Sequence, residues 1–338
     1  MNPLYAGADL VSLFKGVLGL CKVHTSETVL IVTDAQFKYY MYPPAAFAAA
    51  HSLGANAYIM LRQADQDLED KVSTAAWSNA DLVIGMFSLP VAYSWLYTDF
   101  HSSILASGTR VLAVHEPLDR LKRMPPTKEI MRRGLAGAKL LEPALKIRVV
   151  SKAGTDLTFR KDGRKGSYQC GVADSPGRWD HWPSGMVYCA PLEDSAEGLL
   201  VVQPGDILLG SLRYATTRCE LLFKKGRITK ISGGLDARYL EEYLTRKGDE
   251  NSLRLAHAGW GTDHRADWRY IGMDSESFYG NITIALGRNI FDSPAPHCGM
   301  GGSNRSRTHF DISLRETSLY LDDQVIVKDG RFILKELV

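Results

Sequence analysis

TVLIVTD at 28–34 is apolar at consecutive positions and not at alternate ones, and polar residues bound it. A strand of that pattern buries both faces, as strands of a parallel sheet do. Similar runs return as ANAYIMLR at 55–62, ADLVIGMF at 80–87 and TRVLAVHE at 109–116, separated by helical stretches near 44–53 and 68–79. Ahead of them, Leu10, Phe14, Val17 and Leu18 recur at helical spacing, which predicts an amphipathic first helix and not a signal peptide. Strands alternating with helices predict an α/β architecture with a Rossmann-like parallel sheet. No GxGxxG follows the first strand, so dinucleotide binding is not indicated. This half reads as scaffold, with SLPVAYSWLYTDF at 88–100 as apolar surface for homo-oligomer contacts.

After a helix expected over about 126–142, the pattern changes to short strands and turns. The stretch 145–164 reads as a hairpin with Lys161-Asp162-Gly163 as its turn signal, and further β-rich runs continue to FILKEL at 332–337. One helix, ARYLEEYLTRKG at 237–248, interrupts them. Two domains follow, an α/β domain over 1–145 and a mainly antiparallel β domain over 146–338.

Forty basic and 38 acidic residues are scattered through the 338, giving a net charge of +2 and no basic run that would track a phosphate backbone. Nucleic acid is not an expected partner. No stretch approaches the ~20 continuous apolar residues of a membrane span. Five widely spaced cysteines without a CxxC pair suit a reducing compartment, the cytoplasm.

Thr308-His309-Phe310-Asp311-Ile312-Ser313-Leu314 alternates polar and apolar residues, so a strand here places His309, Asp311 and Ser313 on one face. An imidazole and a carboxylate on one face can share a cation, although an isolated pair of this kind is more often a solvated strand face. LAHAGWGTDHR at 255–265 adds His257 beside Gly259 and Gly261, glycines that suit a tight functional loop, with His264 as a substrate-binding candidate. His257, His309 and Asp311 make a two-histidine, one-carboxylate set of the kind that holds non-haem Fe(II), and the same ligand types also serve zinc. PGRWDHWPSG at 176–185 reads as a Pro/Gly-bounded loop with His181 between Trp179 and Trp182, either a pocket for a flat ring or a Trp-anchored surface loop.

At these residues the sequence resembles the 2,5-dihydroxypyridine 5,6-dioxygenase family, Fe(II) enzymes whose fold is related to the M29 aminopeptidases. The resemblance rests on SKAGTD at 151–156, PGRWDHWPSG at 176–185, EDSAEG at 193–198, HxGWG at 257–261, RAxW at 265–268, FYGN at 278–281, HxDxxLR at 309–315 and YLDD at 320–323. It implies that His257, His309 and Asp311 hold iron, that His181 lines the substrate pocket, and that the partners are a small aromatic or heteroaromatic molecule and O2. A family acid/base histidine falls near Tyr97, with His101 as a substitute; a ligating serine is replaced by Ala285, and a pocket arginine by Glu276. The loop at 293–307 is longer than in the family and brings His297, Cys298 and Ser303 near the metal strand in sequence. Where M29 peptidases carry two metal-binding glutamates this chain has Met186 and His257, which argues against a two-metal peptidase. A metal-dependent amide or lactam hydrolase, with Glu193 or Asp263 as base, is the rival to a ring-cleaving dioxygenase.

Overall fold

The computed structural model describes residues 3–64, 69–88, 95–96 and 98–338, with side chains from residue 9 onward. The chain gathers into two compact units. One comprises Met1–Lys128, Gln169–Ser184 and Asp292–Cys298, the other Glu129–Tyr168, Gly185–Phe291 and Gly299–Val338. Each unit is thus assembled from three stretches, where the sequence suggests a single division at 145/146.

The first unit holds a five-stranded parallel sheet in the order Asn56–Arg62, Thr28–Asp34, Leu82–Met86, Arg110–Ala113 and Trp179–His181. Val29, Ile31 and Val32 are all fully buried, as a strand covered on both faces requires. Helices Pro3–Leu20, Tyr42–Ser52, Lys71–Ser78 and Asp99–Ala106 accompany the sheet. Asp70 starts the third of these by accepting hydrogen bonds from the Val72 and Ser73 amides, and Thr98 caps the fourth through the His101 amide.

The second unit holds two sheets. In the eight-stranded one the order is Arg227–Gly233, Cys219–Lys224, Glu197–Val202, Asp156–Arg160, Lys146–Ser151, Thr317–Leu321, Gln324–Lys328 and Arg331–Phe332. The seven-stranded one runs Arg213–Tyr214, Ile207–Leu208, His309–Leu314, Ile282–Gly287, Leu255–Gly261, Met186–Cys189 and Ser167–Gln169. One apolar cluster joins Val149, Leu157 and Leu221 of the larger sheet to Ala258, Trp260, Ile284 and Ile312 of the smaller, with Leu240 and Leu244 of helix Leu235–Thr245. The opposite face of the smaller sheet is therefore free to carry polar groups.

Four local readings change. WDH at 179–181 is a strand and not a loop, pairing Val111 with Trp179 and Ala113 with His181 in the first unit's sheet. The hairpin of Lys146–Ser151 with Asp156–Arg160 turns at Gly154 (φ 108°), whereas Lys161-Asp162-Gly163 leads out of the sheet. LAHAGWG is a fully buried strand in which neither glycine takes a positive φ; a Cβ on Gly259 would run into the Val187 carbonyl, and one on Gly261 into that of Phe278. Close strand approach, not unusual dihedrals, demands those glycines. Helix Lys128–Leu141 packs Gly137 against Val187 and Trp260, so it belongs with the β-rich unit.

Candidate metal centre

The polar face of the seven-stranded sheet is set by register. His257 pairs with Ala285, and Ala285 in turn with Asp311, so one row across three strands reads His257, Ala285, Asp311. The next row reads Tyr188, Gly259, Thr283, Ser313. A register shift between Leu255 and His257 lies beside the first ligand, where a bulge re-aims a side chain. His309 pairs with Gly287, whose φ of 94° and contact with the Thr308 carbonyl leave no room for a Cβ. The alternation that sends Phe310, Ile312 and Leu314 into the core leaves His309 and Asp311 on the other side.

His257 Nε2 stands 3.1 Å from Asp311 Oδ1, and His309 Nε2 stands 3.3 Å from Asp311 Oδ2. One ligand atom from each of the three lies within 4.8 Å of the others, the one such cluster among the described residues. Side-chain exposure is 4% for His257, 9% for His309 and 14% for Asp311, so the carboxylate forms the open lip. Burial acts to raise the Asp311 pKa, but His309 and His257 outweigh it and keep the group ionised. Burial pushes His257 down. For His309 it acts the same way, yet Asp311 and the Arg288 carbonyl outweigh it and hold its pKa up.

This arrangement fits a divalent cation better than it fits hydrogen bonding. His309 Nδ1 donates to the Arg288 carbonyl at 2.7 Å, which fixes the ring and turns Nε2 toward the carboxylate. A carbonyl behind a ligating imidazole is the usual outer support of a metal site. In the neutral ring that bond leaves Nε2 as a lone pair facing a carboxylate oxygen, a repulsion that a cation between them removes. His257 Nδ1 is buried and makes no hydrogen bond. Two imidazoles and one carboxylate suit Fe(II) and leave coordination positions for other molecules.

The remaining candidates are placed differently. Tyr97 lies outside the described residues. His101 is fully buried in the first unit, bonded through Nδ1 to the Leu96 carbonyl at 2.7 Å, with its ring 4.9 Å from Trp95 and 5.9 Å from Trp179. His181, also buried there, bonds Pro183 O through Nδ1 and meets the His115 ring at 3.1 Å through Nε2. Trp182 packs on Phe14 at 5.2 Å and donates to the Met124 carbonyl at 3.2 Å. In the second unit, Glu276 sits half-buried in helix Met273–Ser277, and exposed His264 accepts from Arg133 at 2.9 Å. Of the loop residues, His297 and Cys298 belong to the first unit, while the Ser303 amide donates to Glu193 at 2.6 Å.

Both suggested hydrolytic bases are engaged by other groups. Glu193 is bound by Arg164, Asn289 and the Ser303 amide, and Asp263 is held by the Arg265 side chain at 2.7 and 2.9 Å. Three groups described here were not singled out from the sequence. His115 follows the strand Arg110–Ala113, at the carboxyl end where parallel sheets carry their sites, and that position was a usable signal. Tyr188, whose ring lies 5.7 Å from His257, sits in the strand Met186–Cys189, whose four residues are all buried, so no alternation marks it. The Arg288 carbonyl gives no sequence signal.

The polar face of an antiparallel sheet thus carries a two-histidine, one-carboxylate cluster that could hold a metal ion, in a chain that also contains a parallel α/β unit. A match to the family described as 2,5-dihydroxypyridine 5,6-dioxygenase spans residues 9–334. The chain is 34% identical to the 2,5-dihydroxypyridine 5,6-dioxygenase of Pseudomonas putida over 98% of each sequence. A solved structure of 2,5-dihydroxypyridine dioxygenase from that organism superposes with a TM-score of 0.87 at 32% identity, covering 98% of this chain and 99% of that one. AmpT of Thermus thermophilus shares the fold at a TM-score of 0.64 and 13% identity, covering 97% and 99%. The chain belongs to the 2,5-dihydroxypyridine 5,6-dioxygenase family.

Proposed function

We propose that the protein is a mononuclear Fe(II)-dependent dioxygenase that opens the ring of a hydroxylated pyridine, 2,5-dihydroxypyridine or a close relative, with O2 as co-substrate. The observation that carries this reading is the convergence of His257, His309 and Asp311 within 4.8 Å in a chain of this family. Those three side chains would hold the ion by one face, leaving the other for substrate and O2. Bound Fe(II) supplies the electron transfer that lets O2 react with an aromatic ring.

The protein's own work is placement. The Arg288 carbonyl keeps the His309 ring from turning, and Tyr188 walls the His257 side. His181 is proposed as an acid–base residue: its Nδ1–H is committed to the Pro183 carbonyl, so Nε2, shared with His115, is the accepting atom. Glu276, standing where the family has an arginine, favours a substrate that presents a hydrogen-bond donor or a positive group there.

Among the described residues no helix is long and apolar enough to cross a membrane, and all five cysteines are buried and free. Those features support a cytoplasmic enzyme. Exposed Tyr58, Ile59 and Leu61 on the sheet's edge strand support assembly with further copies, which sedimentation measures.

Anaerobic loading with Fe(II), followed by an oxygen-electrode assay on 2,5-dihydroxypyridine, tests the activity. Oxygen uptake matched by loss of the aromatic absorbance is expected. Hydrolytic activity with zinc in the absence of O2, without any uptake on iron, contradicts it.

A further inference from the structure

We propose that Ser313 is a further substrate-positioning residue, donating a hydrogen bond to the aromatic molecule held at the metal centre; this rests on the dioxygenase reading above. Ser313 shares the strand His309–Leu314 with two of the ligands, and the period of two puts its side chain on their face, about 7 Å along from Asp311. It is fully buried, and Oγ makes no hydrogen bond. A buried hydroxyl without a partner is costly, on the order of 1–3 kcal/mol, and calls for a reason.

Its neighbours do not supply the partner. Thr283, directly across, receives Asn281 Nδ2 at 3.4 Å, and that same amide also donates to Ser275 O while Asn281 Oδ1 accepts the Gly261 amide at 2.7 Å. Ile207, across on the other side, has nothing to offer. Exposure falls along the strand from 14% at the Asp311 side chain to 0% at Ser313, so the hydroxyl stands at the closed end of the face whose lip carries the metal ligands.

Two diagonal neighbours on that face, Gly259 and Ala285, carry no side chain longer than a methyl. His257, Asp311, Thr283, Ser313 and Tyr188 surround them. A flat ring seated over Ala285 with one edge at the ligands brings its far edge to Ser313. A ring hydroxyl or ring nitrogen there accepts the Ser313 O–H, and a molecule bound the other way round loses that bond.

The test compares Ser313→Ala with the wild type in two anaerobic titrations, one with Fe(II) alone and one with 2,5-dihydroxypyridine on the Fe(II)-loaded protein, alongside urea unfolding. We expect Fe(II) affinity within about twofold, an unfolding midpoint no lower than that of the wild type, and a Kd for the dihydroxypyridine raised about tenfold, equivalent to 1.4 kcal/mol. An unchanged Kd, with the wild type binding normally, overturns the assignment of Ser313 alone. Lost Fe(II) affinity overturns it too, since the residue would then be supporting the ligands. A wild type that holds Fe(II) and binds no dihydroxypyridine overturns the dioxygenase reading and this one with it.

Discussion

Ala285 stands directly opposite Asp311 in the antiparallel pairing of Ile282–Gly287 with His309–Leu314, and its other side faces His257. A methyl group is therefore all that the central strand places between His257 and Asp311. Ala285→Val adds two methyls at a fully buried point and is expected to cost about 1–3 kcal/mol of stability and at least about tenfold in Fe(II) affinity. Ala285→Ser, which offers an oxygen at the same place, binds Fe(II) at least as tightly as the wild type. Anaerobic Fe(II) titrations of both variants measure this.

Gly259 lies one register step from the ligand row, and any Cβ there meets the Val187 carbonyl of the neighbouring strand. Gly259→Ala forces the Leu255–Gly261 and Met186–Cys189 strands apart and is expected to lose upwards of about 2 kcal/mol in urea unfolding. A loss below about 0.5 kcal/mol contradicts the close strand approach.

Glu193 secures the loop that leads into the metal strand, binding Arg164 at 2.5 Å, the Ser303 amide at 2.6 Å and Asn289 at 3.3 Å. Glu193→Gln removes the charge from these bonds and is expected to cost about 1–3 kcal/mol. Metal affinity falls with it, because Asn289 also orders Asn304, whose side chain holds the Gly287 carbonyl opposite His309. Fe(II) titration beside urea unfolding reads both effects.

Burial pushes the pKa of His101 and of His181 down to about 4 from the usual 6.5. The unfolded chain takes up these protons near pH 6.5 while the folded one refuses them. The stability contributed by the neutral rings is complete above pH 6.5 and is lost as pH falls from there to 4, by up to ~3 kcal/mol for each ring. Urea unfolding across pH 4–7 tests this, and His101→Gln flattens the slope.

Much of this protein is legible from local pattern. Consecutive burial in TVLIVTD identifies a parallel strand, and the alternation in THFDISL assigns His309 and Asp311 to one face and Phe310 and Ile312 to the core. What escapes local pattern is pairing between distant segments. WDH is too short to read as a strand until Arg110–Ala113 is beside it, and Gly259 reads as a loop glycine until Val187 is known to press on it. His257 and Asp311 are 54 positions apart, and only the strand between them, with Ala285 in register with both, brings them to 3.1 Å. The Arg288 carbonyl is a backbone group, so no side-chain pattern marks it.

The central claim is that His257, His309 and Asp311 together hold a single metal ion. Metal content after anaerobic Fe(II) loading and desalting, measured for the wild type and for His257→Ala, His309→Ala and Asp311→Ala, tests it most directly. The account predicts close to one iron per chain in the wild type and almost none in each variant, with all four folded by circular dichroism. Iron retained in the Asp311→Ala protein, or absent from the wild type, contradicts it.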